Sequence, residues 1–330
     1  MDACKPTVYI GIDISKATFD ACLVGPAGKP QKKSFSNTPD GFAKLLRWAG
    51  YLAADATCRY CMEATGSYHE ALATFLAESD QWVSVVNPRR THHAAEATGA
   101  GNKTDPADAF GLAEFCRKEN PPPWRRAAPE VRTLVAMLRR MQALQDHLTQ
   151  EKNRLADPGM KEQVEVTNSL KKSIAFLKGE IASVHKQIDA HIKKHPDLKS
   201  DRDLLTSIPG IGDATAAWIM AELPSIAAIA SAQSAAAFAG LAPRECRSGT
   251  SVHRETHLSK RGNVHLRRIL YFPAITAIRF NPAVKALYDR MIARGRAPMA
   301  AIGAAMRKLL MLAYGVLKHR KEFEYAPSQS

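Results

Sequence analysis

Short apolar runs and amphipathic segments alternate along residues 1–127. The apolar runs predict strands, and the segments with apolar residues three and four positions apart predict helices. Strands are predicted at Val8 to Ile12, Thr18 to Val24, around Lys32 to Ser36, Thr57 to Met62 and Trp82 to Val86, and helices at Thr38 to Leu52, about Tyr68 to Ala77 and from near Asp105. Three strands in hairpins followed by helix, strand, helix and strand predict a first domain with an α/β ribonuclease-H-like mixed sheet.

Residues 128–198 follow a heptad-like pattern instead. The apolar positions of this segment are Leu134, Met137, Met141, Leu144, Leu148 and Leu155, then Leu170, Ile174, Leu177, Ile181, Val184 and Ile188. The sequence Asp157-Pro158-Gly159 separates the two runs. Two such helices predict an antiparallel helical hairpin or a coiled-coil dimerisation arm, and a plain helical bundle fits the same pattern.

Residues 199–330 are Ala-rich and predict a mainly helical third domain. One turn motif, Ile208 to Gly212, and one basic loop, Arg244 to Asn263, interrupt the helices. The most apolar late segment, Pro298 to Leu317, contains Arg307 and Lys308. A membrane span would bury both charges, so we expect no membrane-spanning segment there and no membrane partner.

The positive charge is concentrated in one region of the chain. From Leu241 to Lys321 there are 17 Lys and Arg residues against three acids, which gives +14, the formal net charge of the whole chain. Such a concentration is typical of a surface that binds a phosphate backbone, although a basic stretch can also be only a solvated face. We therefore expect a nucleic-acid partner.

The six cysteines are scattered and predict no disulfide framework. Cys58 and Cys61 form one CxxC motif without a second pair, and in a strand two residues three apart point to opposite faces. We expect buried free thiols in a reducing cytoplasm rather than a zinc site.

Acidic residues follow the predicted strand ends. Asp13 and Glu63 end the first and fourth strands, which are neighbours in a ribonuclease-H-like sheet, and Asp105 and Asp108 share one face at a helix start. Four converging carboxylates need cations, and a site of oxygen ligands suits Mg²⁺ or Mn²⁺. Each acid alone has an ordinary alternative, such as capping of the helix by Asp105.

A nucleotide-binding sheet of the actin and sugar-kinase kind also begins with strand, Asp and hairpin. That fold needs a glycine soon after the Asp for backbone approach to phosphate, but Ser15-Lys16 stand there. The sequence therefore disfavours a kinase.

Two further motifs predict contacts with DNA. Gly210 and Gly212, in a turn of helix-hairpin-helix type, would leave backbone N–H groups free at a helix N-terminus for a phosphate, or form only a tight turn. In the basic loop, Ser248-Gly249-Thr250-Ser251 is surrounded by cations that we expect to bind nucleic acid, Arg244, Arg247, Arg254, Lys260 and Arg261, with Arg267 and Arg268 after it. A hydroxyl there would either attack a phosphodiester or only contact a phosphate, and His253 and His257 lack further metal ligands.

Together these motifs resemble the DEDD-type transposases of insertion-sequence family 110. The segments that carry the resemblance are GIDISKATFD, MEATGSY, NKTDPADA, IPGIG, FAGLAPRECRSGTSV and LSKRGNVHLRRILY, in the expected order over nearly the whole chain. The resemblance implies a RuvC-type N-terminal domain, a helical arm and a C-terminal transposase domain.

The resemblance also implies roles for individual residues and partners. Asp13, Glu63, Asp105 and Asp108 would bind Mg²⁺, and Ser248, with Ser251 as the second choice, would form a phosphoserine link to DNA. Donor and target double-stranded DNA, a structured non-coding bridge RNA and a homo-oligomer, dimer to tetramer, would be the partners, in the nucleoid of a prokaryotic cytoplasm. One protomer's acids would act with another's serine. The alternative is a junction-resolving nuclease that uses metal-activated water, and a third hypothesis is a non-catalytic nucleic-acid-binding scaffold.

Overall fold

A computed structural model describes residues 6–25, 29–54, 56–64, 68–88, 90–91, 105–160, 163–223, 226, 229–248, 252–259 and 262–325, with the backbone alone for residues 105–107, 160, 244–248 and 252–257. The chain divides into two compact units, Met1–Arg126 and Ala127–Ser330. The sequence-based boundary after residue 127 lies one residue from this division.

The first unit is built on a five-stranded sheet with the order β3-β2-β1-β4-β5. The strands are β1 Thr7–Ile14, β2 Thr18–Val24, β3 Gln31–Ser36, β4 Thr57–Glu63 and β5 Trp82–Val86. The pairs β1–β2 and β2–β3 are antiparallel, whereas β1–β4 and β4–β5 are parallel. This mixed sheet is compatible with the predicted ribonuclease-H-like fold.

Helices cover both faces of this sheet. They are α1 Pro39–Leu52, α2 His69–Glu78 and α3 Asp105–Glu119. Alternate strand residues such as Ile10 and Ile12 are fully buried in a core with Leu45 of α1 and Leu72 of α2. Thr38 caps α1, as the sequence predicts, by accepting a hydrogen bond from the Gly41 N–H.

The opposite sheet face packs against α3. Cys61, Val86, Leu112 and Cys116 form a small core there, with Tyr9 packed against it. Cys58 instead packs against the core on the α1 and α2 side. The two cysteines of the CxxC motif therefore face opposite sides of the sheet, and both are free thiols, which confirms the argument against a shared zinc site.

The second unit begins with a helical hairpin. Helix α4 spans Pro129–Ala156, a short 3-10 turn covers Pro158–Met160, and α5 spans Val164–Lys194. The His191 Nε2 atom near the end of α5 lies 2.8 Å from the Glu130 carbonyl oxygen at the start of α4, so the helices run antiparallel. A role of this pair in dimerisation stays a prediction.

The hairpin shares its core with the helices that follow. Leu134 and Leu138 of α4 and Ile188 of α5 belong to the same hydrophobic cluster as Leu309 near the chain end. The segments that the sequence separates at residue 198 therefore form one compact unit. The later helices are α6 Pro196–Thr206, α7 Asp213–Glu222, α8 Ala232–Phe238, α9 Val264–Ile269, α10 Tyr271–Phe280, α11 Pro282–Ala293 and α12 Pro298–His319.

Within the described residues, α12 is the one helix whose length and composition would allow a membrane crossing. More than half of its most apolar window, 56%, is buried inside the protein. Leu309, Leu310 and Ala313 are fully buried in the core of the second unit. Helix α12 is therefore packed as a core helix.

The basic segment expected as a loop contains two strands. β6 spans Pro243–Ser248 and pairs antiparallel with β7, Val252–Leu258, with an irregularity between Arg244 and Cys246. The expectation of an irregular loop was wrong because the strands are short and polar, and the apolar periodicity that identifies a strand is missing from them. The two strands are instead defined by the antiparallel hydrogen bonds between their backbones.

Candidate functional site

Asp13 and Glu63 lie side by side at one edge of the sheet. In the parallel pair of β1 and β4, Ile12 is aligned with Met62, so the next aligned positions are Asp13 and Glu63. Glu63 is the last residue of β4, whereas β1 continues through Ile14. Asp13 therefore lies inside its strand rather than after it, because the hairpin with β2 extends the pairing to Ile14 and Phe19. Both side chains are half-buried.

The two acids share the sheet face that α3 covers. Side chains alternate along a strand, so Gly11 and Asp13 point to one face, and Cys61 and Glu63 of β4 point to that same face. Cys61 is in the small core with Leu112 and Cys116 of α3. The acidic pair is thus directed to the side on which α3 lies.

Helix α3 runs with its N-terminus toward the acidic pair. A Cβ added to Gly11 would lie 2.0 Å from the Ala109 carbonyl oxygen and 2.2 Å from the Ala113 nitrogen. At the other end, Asn120 directly after α3 accepts a hydrogen bond from Arg59, which is aligned with Tyr9 on the neighbouring strand. Helix α3 therefore runs antiparallel to β1 and β4. Its first turn lies at the same end of the sheet as Asp13 and Glu63.

The first turn of α3 contains the other two predicted ligands. Asp105 stands four positions before the contact residue Ala109, and Asp108 stands four positions before Leu112, so both lie on the helix face that packs against β1. The Asp108 side chain is half-buried. The Asp105 side chain is outside the described part of the structure, so its distance to Asp13 and Glu63 stays a prediction.

A third acid on the sheet was not identified from the sequence. Asp20 of β2 is aligned with Asp13 across the antiparallel pair, so both face α3. Its carboxylate accepts a hydrogen bond from the Ser34 hydroxyl. The hairpin symmetry of GIDISKATFD about its turn would have revealed this pairing. Asp13 is therefore flanked by an acid on each neighbouring strand, which favours a nearby cation because like charges directly opposite are destabilising.

Thr91 and Arg90 also reach this edge of the sheet. The Thr91 hydroxyl donates to Glu63 Oε1 and lies 2.7 Å from the Pro88 carbonyl oxygen. The Arg90 guanidinium lies 5.5 Å from the ring centre of Phe115 on α3. No pattern in the sequence pointed to these two residues, because their positions depend on how the chain folds back after β5.

Cys61 is the cysteine closest in sequence to the acidic pair, and its thiol is not suited to bind metal. The hydrogen bond with Cys116, followed by burial, raises the pKa of the Cys61 thiol. The thiol therefore stays neutral and packs in the core. The candidate donors are left as carboxylate oxygens, the ligands that Mg²⁺ and Mn²⁺ prefer.

The candidate donors fit a hard divalent cation in kind, because all of them are carboxylates. Three acids, Asp13, Asp20 and Glu63, stand on adjacent strands, and Asp108 stands on the helix turn that approaches them. Among the side chains that the structure describes, no group of three or more His, Cys, Asp or Glu is close enough to hold a metal ion. The Asp105 side chain is not among those described.

The Pro209-Gly210 turn in the second unit is fixed by packing. Gly210 has φ +106°, and a Cβ on it would lie 2.6 Å from the Ala277 Cβ on α10. The glycine is therefore required by a backbone that L side chains rarely adopt and by close contact with α10. This supports the alternative that the turn is a tight interhelical connection.

Gly212 is in a different situation. It is exposed at the N-cap of α7, and a Cβ there would meet nothing within 4 Å. The first turn of α7 carries Asp213, whose carboxylate already interacts favourably with the helix N-terminus. The Arg202 Nε atom lies 3.7 Å from the Asp213 carboxylate and partly offsets this charge, so phosphate binding by Gly212 stays a prediction.

Ser248 is the last residue of β6, immediately before the tip of the basic hairpin. It is aligned with Val252, and Arg247 is aligned with His253. Arg244 and Arg254 lie on the same two strands. The side chains of these residues are not described, and Ser251, Lys260 and Arg261 lie outside the described residues. The backbone thus places the serine at the end of a hairpin rich in arginine.

Arg267 and Arg268 of α9 have different environments. Arg267 is half-buried and donates a hydrogen bond of 3.2 Å to the Ala239 carbonyl oxygen. Arg268 is exposed, with its Nη2 atom 3.5 Å from Asp146 Oδ1. Arg268 is therefore the better placed of the two for a phosphate contact.

A buried carboxylate fixes the chain where it leaves the basic hairpin. Glu222 accepts two hydrogen bonds from Arg139, of 3.0 and 2.6 Å, and one of 2.8 Å from the Asn263 side-chain amide. Asn263 in turn caps α9 through a hydrogen bond from the Leu266 N–H. These contacts join α4, α7 and the residues just after β7.

Two protein-family models match most of the chain. A model of DEDD transposases of IS110 type, described as "Transposase", matches residues 10–157. A second, described as "Transposase IS116/IS110/IS902 family", matches residues 202–289. The first match contains the acidic pair and α3, and the second contains the Gly210 turn and the basic hairpin.

Individual relatives extend this similarity to nearly the whole chain. The chain is 33% identical over 318 residues to the pilin gene-inverting protein of Moraxella bovis, covering 96% of this chain and 97% of that protein. The same identity and coverage hold for the pilin gene-inverting protein of Moraxella lacunata. This chain is also 24% identical over 309 residues to the transposase for insertion sequence element IS1111A of Coxiella burnetii. That alignment covers 83% of this chain and 79% of the transposase.

Proposed function

We propose that this chain, which belongs to the IS110 family of transposases, cuts and rejoins donor and target DNA through a phosphoserine link assisted by bound divalent metal. That it is a DNA transposase or recombinase follows from the family membership itself. The proposal adds the residues: Ser248 as the nucleophile, and Asp13, Glu63, Asp105 and Asp108 as ligands of Mg²⁺ or Mn²⁺.

The alignment of Asp13 with Glu63 carries the proposal. Two carboxylates on adjacent parallel strands face the helix whose first turn contains Asp105 and Asp108. Neighbouring strands lie about 4.8 Å apart, so the two charges repel unless a cation lies between them. Mg²⁺ or Mn²⁺ held by these carboxylates would stabilise the negative charge that develops during a phosphodiester exchange.

Three kinds of side chain would carry out the other steps of the reaction: a threonine, a serine and the hairpin arginines. The Thr91 hydroxyl holds one Glu63 oxygen and so orients the carboxylate. The Ser248 Oγ atom would form a bond to phosphorus while the bond from phosphorus to the departing sugar oxygen breaks, and the serine proton is transferred overall to that oxygen. Arginines of the hairpin would stabilise the negative charge on the phosphorus oxygens.

Partners and assembly belong to the same proposal. A structured bridge RNA would select donor and target sequences by base pairing, while the protein would grip backbones through its basic C-terminal region. A dimer to tetramer would allow the acids of one protomer to act with Ser248 of another. The expected compartment is the nucleoid region of a prokaryotic cytoplasm.

A covalent adduct is the direct test of the serine mechanism. The full-length chain is incubated with its guide RNA, Mg²⁺ and labelled donor and target DNA, and denaturing electrophoresis detects protein-linked DNA. Ser248→Ala should abolish the adduct and Ser251→Ala should preserve it. An undiminished adduct with Ser248→Ala would eliminate Ser248 as nucleophile, and loss with Ser251→Ala alone would transfer the role to Ser251.

The same gel separates the proposal from a junction-resolving nuclease. Metal-activated water would produce hydrolysed ends and no adduct with the unmodified protein. Asp13→Asn should abolish cleavage under either mechanism, and under the serine mechanism it should abolish the adduct as well. Unchanged recombination with Asp13→Asn would instead identify a nucleic-acid-binding scaffold without metal chemistry.

DNA inversion is a second candidate outcome of the same chemistry. Two relatives that align with nearly the whole chain are named as pilin gene-inverting proteins. Strand exchange between two sites on one molecule inverts or excises the DNA between them, depending on the orientation of the sites. A plasmid with two inverted sites, assayed by polymerase chain reaction across both junctions, would show inversion directly.

A further inference from the structure

A groove beside the edge strand β3 combines cations with aromatic rings. It has a volume of about 500 Å³ and lies between β3 and the C-terminal half of α1. We call it the β3-edge groove and define it by Lys33, Lys44, Arg47, Trp48 and Tyr51. It lies entirely within the first unit and contains none of the predicted metal ligands.

The groove follows the open edge of the sheet. β3 is the terminal strand and pairs with β2 on one side. The consecutive residues 33–36 all line the groove. Since successive strand residues point to opposite faces, a hollow that touches all four runs along the strand edge, where backbone N–H and C=O groups are available to a ligand.

Two rings of the groove offer stacking surfaces. Tyr51, near the end of α1, is 86% exposed, the largest exposure among the large apolar side chains that the structure describes. Trp48 is half-buried and is held edge-on against Phe35, with ring centres 5.7 Å apart at 62°. The Trp48 ring is therefore fixed in place, while Tyr51 stands free of the core at the same end of the groove.

The charge of the groove is positive. The side chains of Lys33, Lys44 and Arg47 are exposed. The Lys44 ammonium lies 2.6 Å from the Asp40 carboxylate one helical turn away, which partly offsets its charge. Lys33 and Arg47 line the hollow on its two walls, the strand and the helix.

We propose that the β3-edge groove binds an unpaired nucleotide segment, with a base stacked on Tyr51 or Trp48 and the phosphates next to Lys33 and Arg47. Aromatic platforms combined with cations are how proteins hold single-stranded nucleic acid, because every unpaired base exposes a ring face. In a duplex those faces are already stacked. An extended peptide added to β3 would use the edge but has no general need for several cations.

A second hollow shares part of its lining with this groove and extends to Asp20. It has a volume of about 340 Å³, shares Lys33 and Ser34 with the β3-edge groove, and is also lined by Asp20 and Ala109. Asp20 is the residue aligned with Asp13. A strand lying over the β3 edge would therefore lead from the aromatic rings toward the candidate metal site.

The proposal is tested by binding without divalent metal. Fluorescence anisotropy with the full-length chain in EDTA measures the affinity for a labelled unpaired RNA, an unpaired DNA of the same sequence and a DNA duplex, all at one salt concentration. Failure of the metal and serine proposal does not affect this assay, since neither metal nor cleavage is involved.

The test variant is the double substitution Arg47→Ala with Tyr51→Ala. We expect at least about fivefold weaker binding of an unpaired strand, RNA or DNA, and unchanged binding of the duplex. The matched control is Lys178→Ala with Phe176→Ala on α5, where Phe176 is 66% exposed. The difference between the RNA and DNA arms identifies which kind of strand the groove prefers.

Cross-linking of the unmodified protein gives a second measurement that does not depend on a variant. Strands with halogenated pyrimidines, irradiated and analysed by mass spectrometry, should attach to Tyr51 or Trp48. Equal affinities for all three proteins, with no cross-link at either ring, would overturn the proposal and favour a peptide at this edge. If the test variant lost unpaired-strand and duplex binding equally, the groove would be a non-selective basic patch. That result would also overturn the proposal.

Discussion

Gly11 lies so close to Ala109 that α3 rests on the backbone of β1. A Cβ on Gly11 would lie 2.0 Å from the Ala109 carbonyl oxygen, a distance that no flexible side chain can relieve because the opposing atoms belong to the helix backbone. This contact determines how near the first turn of α3, with Asp105 and Asp108, comes to Asp13. The candidate site therefore requires glycine at position 11, because any side chain there would push α3 away from β1.

Gly11→Ala should therefore destabilise the first unit and displace α3. Overpacking of this kind costs about 1–3 kcal/mol in free energy of unfolding, and we expect DNA cleavage to fall with it. Urea denaturation measures the first effect. The control is Gly111→Ala on the same helix, where a Cβ meets nothing within 4 Å, so stability should stay equal or rise. Equal stability of Gly11→Ala and the original protein would contradict the close packing.

Thr91→Val should weaken metal binding through Glu63. The substitution removes the hydroxyl that donates to Glu63 Oε1 in a site where Thr91 is 9% exposed. Loss of such a partner typically lowers metal affinity about 10–100-fold, so the Mg²⁺ concentration for half-maximal cleavage should rise. Thr91→Ser keeps the hydroxyl and should restore the original value. A lower maximal rate at an unchanged Mg²⁺ requirement would show that Thr91 is only structural.

Arg139→Ala should destabilise the second unit. Its guanidinium donates two hydrogen bonds to Glu222, whose side chain is 6% exposed, and without it the buried carboxylate keeps Asn263 as its remaining described donor. We expect a loss of about 1–3 kcal/mol in free energy of unfolding. Arg140→Ala, at the next and exposed position of α4, serves as the control in the same denaturation series. If both variants unfold alike, the contact with Glu222 does not stabilise the fold.

Arg268→Ala and Arg267→Ala should have separable effects. Arg268 is exposed, so its removal should weaken DNA binding. The negative slope of log affinity against log salt concentration should become shallower by about 1. Arg267 is tied to the Ala239 carbonyl, so its removal should mainly cost about 1 kcal/mol of stability. Salt titrations of duplex binding and thermal unfolding distinguish the two. A flat salt response of the unmodified protein would contradict the assignment of the basic region to phosphate binding.

The sequence by itself determined the strands and helices around the acids and the location of the excess charge. The pairing of β1 with β4 follows from the predicted order of elements, and it brings Asp13 next to Glu63. Those features are local or repeat at a fixed period, so one chain segment is enough to recognise them.

Only the tertiary structure decided which residues meet across the elements. The hydrogen bond from Thr91 to Glu63 and the groove between β3 and α1 join residues that are separated in the chain. The tertiary structure also separates the neighbours Arg267 and Arg268: Arg267 donates a hydrogen bond to a backbone carbonyl, whereas Arg268 is exposed. Such contacts depend on packing and strand register, which hydrophobic periodicity does not encode, and for that reason the acids were identified from the sequence while the groups that orient them were not.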